Sequence, residues 1–228
     1  LDIIKSYYHK DFAPQMTGRP KFMREVKNHI SDGAYKSLLD LWFENETTGY
    51  IIGAFNLILR TNDGGKSWTP VLNRVENPRS LHLYSMRPVA EELFIVGEQG
   101  LLLKYNAQLD SFSAIESPYR GSFFGVTGKD EVVLVYGLRG NIYRSLDQGE
   151  SWKKVESGVS AGLVDSAVID DGRILIAGLD GTLLESKDDG ASFVTLAQKK
   201  SIHTSAVEVA GASSLAVAGF NGIRLESM

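Results

Sequence analysis

The 228-residue chain contains no cysteine. Disulfides, thiolate metal sites and a cysteine nucleophile are therefore excluded, while the compartment stays open. Its four histidines, His9, His29, His82 and His203, show no close ligand spacing such as HxH or HxxxH. They give no reason to expect a metal or a cofactor. No apolar run approaches the roughly 18 residues of a membrane-spanning helix, so direct membrane insertion is not expected. The opening LDIIKSYYHK has no signal-peptide layout. Charge of either sign is not in excess: 24 Lys and Arg stand against 28 Asp and Glu, a net charge of -4. Such a balance gives no global field to draw in nucleic acid or an anionic membrane.

What the sequence does contain is repetition. With 43% hydrophobic and 23% charged residues it has an ordinary globular composition, and five apolar segments built on glycine fall into register. YIIGAFNLILRT, FIVGEQGLLLKY, LVYGLRGNIYRS, LIAGLDGTLLES and AVAGFNGIRLES begin their turns at Gly53, Gly97, Gly137, Gly178 and Gly219, in steps of 44, 40, 41 and 41 residues. A period in this range fixes architecture before any single residue does. Three residues later stands a second glycine, Gly100, Gly140, Gly181 or Gly222, replaced in the first repeat by Asn56. Asparagine tolerates positive φ best among non-glycine residues, so a left-handed turn joining two strands is expected there.

A further strand candidate precedes each pair: 38–43, 80–86, 122–128, 163–169 and 204–210. A short fourth one follows, as at 69–72 and 153–156. The spacing predicts an all-β fold, a β-propeller of four-stranded antiparallel blades with five repeats visible. A β-sandwich is the alternative, but it gives no reason for the period. The last repeat ends at Met228, so its blade lacks an outermost strand, which LDIIKSYY is expected to supply. Residues 1–36 lie outside the repeats and form an N-terminal segment, with Phe22, Met23, Val26, His29 and Ile30 spaced as a short amphipathic helix. Residues 37–228 form the propeller.

Between the third and fourth strands an eight-residue box recurs: Thr61, Asp63, Gly65, Ser67, Trp68; Ser145, Asp147, Gly149, Ser151, Trp152; Ser186, Asp188, Gly190, Ser192, Phe193. The second repeat, YNAQLDSF, has Ala107 and Leu109 where Asp and Gly belong. A turn carboxylate accepts amide hydrogen bonds, the glycine supplies positive φ, and the aromatic ring plugs the base of the sheet. The acid is thus expected to be a buried acceptor that braces its turn; a catalytic acid would not need three copies.

This box is the Asp-box, or BNR repeat, of sialidases and many non-enzymatic propellers. The stretches LLDLWFENETTGYIIGAFNLILRTNDGGKSW, ELFIVGEQGLLLKY and SPYRGSFFGV…VLVYGLRGNIYRSLDQGESW extend the likeness over residues 37–228. There the chain resembles bacterial relatives of the photosystem II assembly and stability factor family. The resemblance implies a propeller outside the cytoplasm, typically of seven blades, that acts as an assembly or scaffold protein without catalysis.

In such a blade the turn between the second and third strands and the segment leading into the innermost strand share the face opposite the boxes. Arg79, Arg120 and Arg139 fall on those segments beside Tyr119, Phe123 and Phe55, a composition suited to a protein partner. A column of charges, Arg60, Lys104, Arg144, Glu185 and Glu226, marks the end of the third strand, with Arg144 and Glu185 placed to pair. The rival reading is a sialidase-like glycosidase, or a propeller that binds carbohydrate or another small molecule. A glycosidase needs two positioned carboxyls, and the inner-face acids are Asp40, Asp165, Asp180 and Glu98. The nearest approach to a sialidase arginine motif, TGRPKF at 17–22, precedes the first repeat.

Overall fold

The computed structural model describes residues 37–89, 91–196, 203–211 and 214–227. The N-terminal segment, with its expected closing strand and helix, lies outside the described residues. The architecture is an all-β propeller arrangement of five antiparallel sheets. Blade 1 comprises β1 (Leu38–Phe43), β2 (Gly49–Gly53), β3 (Ile58–Thr61) and β4 (Thr69–Pro70). Blade 2 comprises β5 (Leu83–Val89), β6 (Glu92–Gly97), β7 (Leu102–Asn106) and β8 (Ser111–Ala114). Blade 3 follows with β9 (Phe123–Lys129), β10 (Val132–Gly137), β11 (Ile142–Ser145) and β12 (Lys153–Val155), and blade 4 with β13 (Leu163–Val168), β14 (Ile174–Gly178), β15 (Leu183–Ser186) and β16 (Val194–Thr195). Blade 5 has, among the described residues, three strands, β17 (Thr204–Val209), β18 (Ser214–Gly219) and β19 (Gly222–Ser227).

The glycine-centred turns explain why each repeat doubles back. In blade 1, Leu57 N–H donates to Ala54 O across Phe55 and Asn56, both at positive φ (56° and 61°). Two consecutive left-handed residues make the tight turn whose twist suits flanking β-strands. Gln99 and Gly100, and Arg139 and Gly140, repeat it. The exception at Asn56 has a specific cause: its side chain accepts a hydrogen bond from Asn77 Nδ2 (3.0 Å), and Asn77 in turn holds Leu81 by both backbone groups. At Gly100 the corresponding space is filled by Tyr119 O, 2.0 Å from where a Cβ would sit.

Blades pack through apolar side chains on both faces of their central strands. Ile95 joins Tyr50, Ile52 and Ile58 in a core between blades 1 and 2, while its neighbour Phe94 joins Val133 and Val135 between blades 2 and 3. Burial on both faces is why these runs do not alternate in polarity. Among the described residues the end blades have no such cover on one side. Met86 in blade 2 pairs with Ile95 and is fully buried, whereas Leu41, which pairs with Ile51 at the same place in blade 1, is 53% exposed.

Blade 5 departs from the repeat. Gly219 pairs directly with Gly222, whereas in blade 4 the Gly178 N–H reaches Thr182 O. The tighter turn moves β19 by one residue and turns its side chains over. Ile223 and Leu225 are exposed, and Arg224 shares the face of Val207 and Val217, the inner core side. Glu226, expected in column with Glu185, therefore lies on the other face and pairs with Arg224.

Candidate functional site

The three boxes are built alike. Ser145 Oγ donates to Asp147 Oδ1 (2.7 Å) and accepts from Gly149 N–H (2.8 Å). Asp147 also accepts from the amide and hydroxyl of Ser151 at 2.8 and 2.5 Å. Thr61, Asp63, Gly65 and Ser67 make the same set, as do Ser186, Asp188, Gly190 and Ser192. The glycines take φ of 84°, 89° and 76°. The expectation of a buried carboxylate is corrected: Asp147 and Asp188 are exposed, and the buried group is the hydroxyl of Thr61, Ser145 or Ser186. The hydroxyl of Ser145 or Ser186 stands between the acid and the buried amide of Gly149 or Gly190 and satisfies that amide. Hydrogen bonds from Ser67 hold Asp63 down to about 2, and those from Ser151 and Ser145 do the same for Asp147.

Trp152 and Phe193 pack against the cores on either side of blade 3, whereas Trp68 meets Phe43 of its own blade edge-on at 6.1 Å. In the degenerate second box, Asn106 Oδ1 accepts from the amides of Gln108 and Leu109. Asp110 takes over there, held by Tyr105 Oη at 2.7 Å and by Arg60 and Arg74 of blade 1.

The three basic members of the charged column turn out to be straps to the next blade's box loop. Arg60 reaches Asp110, Lys104 Nζ reaches Gln148 O (3.4 Å), and Arg144 Nε reaches Asp189 O (2.8 Å). The expected pairing of Arg144 with Glu185 is not made, because Arg144 is engaged by this loop. Glu185, nearly buried, is held instead by Arg173 at 2.7 Å and Lys187 at 3.2 Å.

The opposite face is tied together differently. In blades 1 to 4 the first residue of the turn donates to the carbonyl leading into its own inner strand: Ala54 to Ser37, Glu98 to His82, Leu138 to Ser122, Leu179 to Gly162. Arg79 Nη1 donates to Gln99 Oε1 (2.8 Å), and Gln99 N–H to Ser122 Oγ (3.4 Å). Arg79 is thereby tied to the turn of blade 2 and, through Gln99, to the segment leading into β9. The guanidinium groups of the exposed Arg120 and Arg139 make no hydrogen bond or ion pair with another described residue.

Of the aromatic residues expected here, Phe55 is exposed, and Tyr119 is half-buried, stacked on Tyr143 at 5.8 Å. Phe123 is corrected: it is fully buried in the core between blades 2 and 3, because β9 begins there and turns this side chain inward. Its neighbour Phe124 is the residue near the surface. Phe55, His82, Tyr84 and Phe124 form a series of edge-on contacts with centroid separations of 4.5, 6.1 and 5.5 Å. Of these four, Phe55 alone is among the contact residues expected from the sequence. The missed signal is the position one residue after the buried start of each inner strand, where a bulge swings Tyr84 or Phe124 out of the core face.

The inner-face acids have structural partners. Asp40 accepts from Met86 N–H (2.8 Å) and Arg87 (2.5 Å), Asp165 from Val207 N–H (2.8 Å), Asp180 from Thr182 N–H, and Glu98 from His82 N–H. Burial pushes Asp165 up, against the pull of its hydrogen bonds and of Arg87. A cleft of about 420 Å³ beside the degenerate box contains one carboxylate, Glu92, paired with Lys104 at 3.3 Å. Among the described residues no group of three His, Asp or Glu is placed to hold a metal ion, and no helix is long and apolar enough to cross a membrane. TGRPKF lies outside the described residues.

The solved structure of YCF48 bound to a D1 peptide superposes with a TM-score of 0.67 at 19% identity, covering 84% of this chain and 63% of that one. At that identity the likeness speaks for the fold alone. The photosystem II assembly lipoprotein Ycf48 of Synechococcus sp. (strain CC9902) is 26% identical over 119 residues, 50% of this chain and 35% of that protein. The chloroplastic photosystem II stability/assembly factor HCF136 of Oryza sativa subsp. japonica is 27% identical over 135 residues, 55% of this chain and 32% of its own length. This chain thus spans about a third of these curated relatives. The family model described as photosynthesis system II assembly factor YCF48 matches residues 23–161, ending before blade 4. That match covers more than half of the sequence, and the chain belongs to this family.

Proposed function

We propose that this protein is a non-catalytic binding scaffold, an assembly factor that acts outside the cytoplasm on a membrane or secreted protein complex. Residues 37–228 serve as one propeller domain preceded by the segment 1–36. The client is held by the face opposite the boxes, with Arg79, Arg120, Arg139, Phe55 and Tyr119 in the contact and Phe123 supporting them from the core.

The observation that carries this reading is the state of Arg120 and Arg139. Both are exposed, neither guanidinium has an intramolecular partner among the described residues, and Arg139 occupies a left-handed conformation (φ 58°). A non-glycine residue held there costs about 1 to 2 kcal/mol, and such strain collects at functional positions. An arginine is a poor choice for the turn and a good one for a partner's carboxylate. Family membership and the D1 peptide in the relative's structure support a protein client. The relatives' names, a lipoprotein and a chloroplastic factor, support a place beyond the cytoplasm. The committed inner-face acids weigh against a glycosidase.

The test is a pull-down from the native envelope fraction with wild type and the Arg120→Ala/Arg139→Ala variant. A client retained by the wild type and lost by the variant is the expected result. Equal capture by both would refute the assignment of the face.

A further inference from the structure

The second box breaks the rule of the box side, and the cleft of about 420 Å³ lies beside the break. In an intact box the third residue is an aspartate whose two oxygens gather the loop. Here it is the exposed Ala107, which leaves that space open. The loop's own acid, Asp110, is drawn the other way, to Arg60 and Arg74 of blade 1. Strand register decides what the opening uncovers. Phe94 pairs with Lys104, Lys104 with Ser113 and Asn106 with Ser111, and alternate residues of a strand share a face. Glu92, Lys104, Asn106 and Ser113 therefore lie on the side of blade 2 that turns to blade 3. At Phe94 and Leu102 that side is apolar core; in the cleft it is a polar row with Ile115 as its apolar wall.

The ion pair in the cleft is held but not closed. Lys104 Nζ meets Glu92 Oε1 at 3.3 Å and Gln148 O at 3.4 Å, and stands 5.9 Å from the centre of the Phe94 ring. An ammonium has three donors and a carboxylate two oxygens, so one N–H and one oxygen stay open side by side. The charge-reversed counterpart in blade 4 differs: Glu185 is 4% exposed and is held by both Arg173 and Lys187, whereas the side chains of Lys104 and Glu92 are 24% and 34% exposed. Asn106 uses its Oδ1 on the amides of Gln108 and Leu109, which leaves Nδ2 to donate. The side chains of Gln108 and Ser113 make no hydrogen bond to another described residue.

These groups select a chemical class. They set donors beside acceptors with no net charge. An anion would face Glu92 and a cation Lys104, while a zwitterion would have to part a pair that is already made. A hydroxyl donates and accepts at once and so fits every point of the row. We propose that this cleft binds a neutral sugar ring, at a site separate from the client face and independent of that reading. Its hydroxyls bridge Glu92 and Lys104 and reach Asn106 and Ser113, with a C–H face on Ile115. The volume is at the lower end for small-ligand sites. With Glu92 as the cleft's one carboxylate, the sugar is bound and not hydrolysed.

The test is calorimetric titration and saturation-transfer NMR of the full chain with the methyl glycosides of glucose, galactose, mannose and N-acetylglucosamine. Inorganic phosphate and betaine serve as the charged and zwitterionic controls. At least one glycoside should bind saturably with a Kd on the order of 1 mM, and neither control should. Ala107→Trp fills the cleft from an exposed position and should abolish binding. Glu92→Gln, which removes the charged acceptor, should weaken it about tenfold. Gln108→Ala/Ser113→Ala should also weaken it, and carries the test if Ala107→Trp fails to fold. Binding of none of the four glycosides would overturn the proposal. So would undiminished binding by folded Ala107→Trp, or tighter binding of phosphate or betaine than of any glycoside.

Discussion

The two faces of the propeller are made on opposite principles. On the box side, three copies of one hydrogen-bond set recur at 61–68, 145–152 and 186–193, and each strap from the charged column ends on the next blade's loop. On the other side, equivalent positions hold different residues: Phe55, Gln99, Arg139, Asp180 and Asn221 at one turn position alone. Repetition on one face shows what the fold requires of every blade. Its absence on the other shows where the fold leaves the choice to something outside itself.

The sharpest way to break this division is at Phe123, which lies on a segment of the client face yet belongs to the core. Phe123→Ala should cost about 3 to 5 kcal/mol of stability, seen as an early denaturant midpoint. A cost under 1 kcal/mol would return the residue to the surface. Next in size is Ser145→Ala, which leaves the Gly149 N–H without an acceptor. A loss of about 1 to 3 kcal/mol in chemical denaturation is expected, with client capture unchanged at temperatures where the variant is folded.

How much of this was legible depends on what repeats. The period, the blades, the boxes and the left-handed site shared by Asn56 and Gly100 could be read because one physical demand recurs at every copy. Phe123 and Phe124 could not be told apart, since a bulge at the start of β9 decides which ring turns inward, and a bulge leaves no local sequence mark. The slip of β19 was equally hidden: AVAGFNGIRLES matches LIAGLDGTLLES, and only the tighter turn at Phe220 and Asn221 reveals it. Arg144 was assigned to Glu185 by adjacency, but backbone carbonyls, absent from any side-chain pattern, claimed it.

A smaller effect sharpens the contrast at Arg139. Glycine relieves its left-handed strain at some entropic cost. Arg139→Gly should therefore leave stability equal or raise it by up to about 1 kcal/mol while weakening client capture. Lower stability would show that the arginine serves the turn. The mildest test is acidic. Asp63 and Asp147 titrate near 2 in the fold against an ordinary 3.8, so their stabilising contribution is complete above the ordinary value and is lost as pH falls towards 2. Asp165, shifted up by burial, acts in the opposite sense. Denaturant midpoints should fall between pH 4 and pH 2, less steeply in Asp147→Asn; identical profiles would deny the acid its bracing role.

One measurement sets the two faces directly against each other: capture of the client from the envelope fraction by Arg120→Ala/Arg139→Ala and by Asp147→Asn/Asp188→Asn, both assayed folded. Binding lost in the arginine pair and kept in the aspartate pair is the predicted result. Binding kept without the arginines and lost without the box acids would contradict the account.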